Sequence, residues 1–128
     1  MKITRTVLLK TTATVALMAG LCLPVFRSSA ADSTTASTKT ITGEVVDLMC
    51  YLDHGASGEK HADCAQTCIE SGGPVGLLTK DKQLYLVIGQ HKPMNDKLAS
   101  LASKTVTLKG KVVERNGMKM IENAEIQK

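Results

Sequence analysis

The sequence predicts a mainly β, α+β domain: a small five-stranded OB-like Greek-key barrel, with a Cys/His-bearing helix inserted after the first strand and a second short helix before the fourth. Three observations predict it. Five short runs rich in β-branched and aliphatic residues recur between residues 41 and 128, separated by Gly, Pro, Asn and Asp signals. Asn116-Gly117 between the last two runs is a strong two-residue hairpin turn. Gly43 and Gly110 fall inside strand-like runs, where a tightly curved barrel needs a bulge or a close backbone approach.

Ahead of that domain, residues 1–30 have the build of a secretory signal. Lys2, Arg5 and Lys10 form a basic head, Ala13 to Phe26 an apolar part, and Ser28-Ser29-Ala30 a small-residue cleavage site. The apolar part is shorter than the roughly 20 residues that span a bilayer. A lipid anchor on Cys22 is disfavoured because Leu21, directly before it, is not small. The expected location is periplasmic or secreted, with no transmembrane segment in the mature chain.

Removing the signal changes the charge argument. Of sixteen Lys and Arg, four (Lys2, Arg5, Lys10, Arg27) lie in residues 1–30, and none of the twelve Asp and Glu do, so the remainder is formally neutral. That balance gives no support to nucleic acid or an anionic membrane as partner. Only Tyr51 and Tyr85 remain as aromatics, too few for a surface that stacks bases or sugars.

Residues 31–40, polar and aperiodic, read as a flexible linker. Ile41 to Val46 is the first strand, and residues 47–74 form the insertion. Within it, Leu48 to Gly58 reads as an irregular connection broken by Gly55 and Gly58, with Ser57 as N-cap of a helix from Glu59 to about Ser71. On that helix Ala62, Ala65 and Ile69 make one stripe and His61, Cys64 and Cys68 a second beside it. Gly72-Gly73-Pro74 ends it. Val75 to Thr79 and Leu84 to Ile88 outline a hairpin. After the His91-Lys92-Pro93 turn, a short helix over residues 95–103 buries Leu98 and Leu101. Val106, Leu108 and Val112 alternate along the fourth strand, and Met118 to Ile126 is the fifth.

The chemistry lies between Cys50 and Pro74. Cys50, His61, Cys64 and Cys68 offer three sulfurs and one imidazole nitrogen, a donor set suited to four-coordinate Zn²⁺ or, second, Cu⁺. His61 and Cys68 are about 10 Å apart along an ideal helix, so His61 joins only if the helix starts late or bends; His54 is the alternative. An exported chain with three cysteines cannot pair them all internally, and thiolate ligation of one ion resolves the odd count. A site filled by four protein donors leaves no place for substrate, so no catalysis is expected. Two other readings stand beside it. One is a disulfide-stapled OB-like module, Cys50 bonded to either helix cysteine, that binds a protein or small ligand and no metal. The other is a thiol redox protein, against which the C-x3-C spacing counts. Asp47 reads as a simple cap, His91 as a solvated turn residue, and Met49, Met118 and Met120 as core packing in preference to soft donors.

The segments GEVVDLMCY, HADCAQTC, GGPVGLL, LYLV and VTLKGKVVERNGMKMIENAEI together resemble a set of small exported bacterial proteins, mostly of unassigned function, with an OB-like domain and a Cys/His-rich insertion. The resemblance covers about residues 41–128. It implies a common fold and a cluster of Cys50, Cys64 and Cys68, and carries no activity to transfer.

Overall fold

Antiparallel pairing dominates the structure, a computed structural model that describes residues 36–128. The expected secretory signal, Cys22 and the first part of the expected linker lie outside the described residues. Five strands, β1 (Ser37–Asp47), β2 (Val75–Leu78), β3 (Leu84–Val87), β4 (Thr105–Arg115) and β5 (Met118–Gln127), close in the order β1-β2-β3-β5-β4. Every neighbour is antiparallel except β3 and β5, which pair in parallel over Leu86↔Met120 and Val87↔Ile121. This is the OB-like barrel expected from the sequence.

β1 starts four residues before Ile41. Ser37 to Thr40 pair with Val112 to Lys109 of β4, so the second half of the expected linker is strand. Its pairing is made by backbone groups, which any polar residue supplies, and no residue from Ser37 to Thr40 is buried. Gly43 and Gly110 mark close approaches: a Cβ would lie 2.7 Å from the Leu78 carbonyl oxygen at Gly43, and 2.6 Å from Ile121 Cγ2 at Gly110. The β4–β5 register shifts between Lys109 and Lys111, on either side of Gly110, which bends the ribbon into the barrel.

Val45, Leu77, Val87, Leu108, Val112, Ile121 and Ala124 fill the interior. Ala65 and Ile69 of α2 (Ala62–Glu70), Met94, and Leu98 of α3 (Asn95–Leu98) pack on the same cluster. α3 is shorter than expected and continues as a 3-10 turn, Ala99–Leu101.

The insertion differs most from expectation. Leu48–His54 is a helix, α1, where an irregular connection was expected. Its ends are capped: Asp47 Oδ1 accepts the Cys50 N–H at 2.8 Å, and Gly55, at φ 72°, takes the left-handed closing position. α1 has only two turns, and Leu48, Met49 and Leu52 are too few apolar positions for periodicity to reveal a helix. The second helix is preceded by a separate 3-10 turn, Glu59–His61. Ser57 does not cap it; Gly58 stands there, its N–H donating to Glu44 Oε1 at 2.5 Å.

Candidate metal centre

Two helices that meet beside the end of β1 bring the cysteines together. Cys50 sits in the first turn of α1, directed by the Asp47 cap, and the Leu48 N–H donates to the Pro74 carbonyl at 2.9 Å, tying the start of α1 to the chain leaving α2. Cys64 and Cys68 lie one turn apart on α2. The C-terminal end of α2 is clamped by Asn95, whose Nδ2 donates to the carbonyls of Ile69 (2.6 Å) and Gly73 (2.8 Å).

The three sulfurs lie within 4.8 Å of one another. Cys50 Sγ and Cys68 Sγ are 3.8 Å apart. A tetrahedral ion with metal–sulfur bonds of about 2.3 Å sets its sulfurs roughly 3.8 Å apart, whereas a disulfide needs about 2.05 Å. All three are free thiols; Cys50 and Cys68 are half-buried and Cys64 is exposed. The triangle therefore has two sheltered corners and one that faces solvent.

Neither histidine belongs to this group. His54 is exposed at the end of α1, with Nδ1 3.2 Å from Asp53 Oδ2. His61, half-buried, ends the 3-10 turn, and its N–H donates to the Gly58 carbonyl at 2.9 Å. The sulfur part of the expected donor set is assembled; the nitrogen part is not.

The residue whose burial the sequence hid is Asp47. It caps α1 as expected, yet it is also buried to 1% exposure, the one charged residue among the buried described residues. Its Oδ1 is used by the cap and its Oδ2 has no hydrogen-bond partner. Gly73 packs against that oxygen so closely that a Cβ there would sit 2.5 Å from Oδ2 and 2.8 Å from the Cys68 carbonyl oxygen. The Asp47 carboxylate beside it, then the Cys68 thiol, then partial desolvation push the Cys50 thiol up to about 12. The carboxylate thus lies beside two of the three ligand candidates, Cys50 and Cys68. The donor chemistry, the sulfur spacing and the orphaned oxygen all fit a metal ion.

The methionine expectation is corrected. Met49 (66% exposed) and Met118 (70%) are on the surface, with Leu52 (71%), Met120 is half-buried, and among the described residues only Met94 is fully in the core. Alternation places Met118 on the outer wall of the barrel, where Met49 and Leu52 of α1 join it around a groove floored by Leu84 and Leu86. His91 is an exposed turn residue, as expected, with Nδ1 3.6 Å from Glu122 Oε1.

Among the described residues no helix is long and apolar enough to cross a membrane. The chain matches no family model, no curated protein and no solved structure with which it was compared.

Proposed function

We propose that this is an exported metal-binding domain in which Cys50, Cys64 and Cys68 hold one ion as thiolates and pin the inserted helices to the barrel. The observation that carries the reading is the meeting of three free sulfurs, from two helices, within 4.8 Å of one another. Zn²⁺ is the leading occupant and Cu⁺ the second, both matched to sulfur donors. His61, three residues before Cys64, is the chain's own candidate for the remaining position, with His54 the alternative. The ion's work here is structural or in metal handling, and no catalytic role is assigned to it. A bound ion also accounts for three thiols in an exported protein, where unpaired sulfur is a liability.

The test is elemental analysis of protein isolated from its own compartment, with mass spectrometry of the cysteines. One metal per chain and three unmodified thiols are expected, and Cys68→Ser is expected to lower metal content and melting temperature together. Two of the sulfurs covalently joined, the third idle and no metal present would replace this reading by the disulfide-stapled binding module. The exposed groove between α1 and the Met118 strand is the surface on which such a module would take an apolar ligand.

A further inference from the structure

Resting on that metal-binding reading, we infer that Asp47 makes the site one for a divalent cation. Capping a helix needs one oxygen and no charge, and Asn serves as well as Asp. Asp47 nevertheless carries a second carboxylate oxygen, buried, unpartnered, and packed by Gly73 beside the backbone of one ligand, Cys68, while the carboxylate bonds the backbone of another, Cys50. Buried carboxylates ordinarily have a cationic partner or several donors. The ion pairs His54–Asp53, His91–Glu122 and Lys111–Glu122 do not involve Asp47. The positive charge it lacks is the one a bound ion brings to the neighbouring sulfurs.

Charge then decides between the two occupants. Three thiolates and one carboxylate sum to four negative charges. A divalent ion leaves two uncompensated and a monovalent ion three, in a site with two sheltered corners, where residual charge is costly. Asp47 stands outside the sulfur ring, since the mutually close donors are the three thiols alone. It is a positioning and selecting residue, holding Cys50 by its cap and adding its charge from behind.

The experiment compares Zn²⁺ with Ag⁺, a monovalent thiophilic ion standing in for Cu⁺, on wild type and Asp47→Asn, a variant that keeps the cap and removes the charge. Zn²⁺ affinity is expected to fall about 10–100-fold, the usual cost of losing a residue behind the ligands, while Ag⁺ affinity falls only about 3–10-fold, because the carboxylate attracts a monovalent ion half as strongly. The metal-free variant is expected to melt no lower than wild type, because an uncompensated buried charge is gone. Asp47→Ser, a second uncharged cap, should reproduce the pattern and serves if Asp47→Asn does not fold. Equal losses for both ions, or no change for either, overturn the inference and leave Asp47 a cap. Failure of wild type to bind Zn²⁺ at all would overturn the metal-binding reading along with it.

Discussion

The barrel and its insertion are held together by different means. Burial alternates along β4 and is continuous along β2, and Leu77, Leu108 and Ile121 are wholly withdrawn from solvent, each worth about 1.5–3 kcal/mol of apolar burial. In the insertion, α1 buries nothing and α2 only Ala65 and Ile69. What orders the insertion is a handful of polar devices: the Asp47 cap, the Gly55 closure and the Asn95 clamp. The difference teaches where a ligand matters. A barrel closed on an aliphatic core is ordered by burial, whereas a segment with few buried side chains and a cluster of soft donors gains order from what those donors bind.

The largest expected effect tests the first half of that contrast. Leu108→Ala empties a fully buried position of β4 and is expected to cost about 2–5 kcal/mol by denaturant unfolding, equally with and without metal. A loss that shrinks sharply when metal is present would show that the barrel, too, leans on the ion.

A smaller effect comes from the joint between the two regions. Asn95→Ala leaves the Ile69 and Gly73 carbonyls without their donor and is expected to cost about 1–3 kcal/mol. Because the same clamp holds the turn after Cys68, metal affinity should fall with it. Asn95→Asp, equal in shape but unable to donate, should behave alike. Stability lost at unchanged affinity, measured by titration of both variants, would mean that the clamp serves the core alone.

The same contrast explains what the sequence made legible. The strands were readable because side-chain patterns record burial: Val106, Leu108 and Val112 alternate, and Asn116-Gly117 turns the chain between β4 and β5. The first four residues of β1 were not, because Ser37 to Thr40 join the sheet through backbone groups alone. α1 is not legible because its two turns between Asp47 and Gly55 carry too few apolar positions, Leu48, Met49 and Leu52, for a period to show. Cys50, Cys64 and Cys68 were readable as a donor set, but the histidine was not. Its position depends on a break at His61, where a 3-10 turn gives way to α2. Burial of Asp47 is a tertiary fact, imposed by Gly73 some distance along the chain. Ring poverty suggested that methionines fill the core, yet Met49 and Met118 face outward because helix and strand geometry, not composition, sets direction.

The smallest expected effect lies in the thiols themselves and distinguishes the metal-free insertion from the loaded one. With its Cys50 thiol pushed from the ordinary 9.0 up to about 12, the metal-free fold retains a proton that the unfolded chain releases. The unfolded state then binds fewer protons, so stability falls as pH rises, beginning near 9 and ending near 12; below 9 the contribution is intact. Solvent at this half-exposed sulfur screens the effect. Lysines and tyrosines titrate in the same range, so the measurement is the difference between wild type and Cys50→Ser in melting temperature against pH. The wild-type curve is expected to fall more steeply across that window without metal, and the two slopes to coincide if the Asp47 carboxylate does not face this thiol. With the ion bound, the proton has already left and the alkaline slope should disappear from wild type. An insertion that keeps the slope when loaded would be one in which Cys50 is not a ligand.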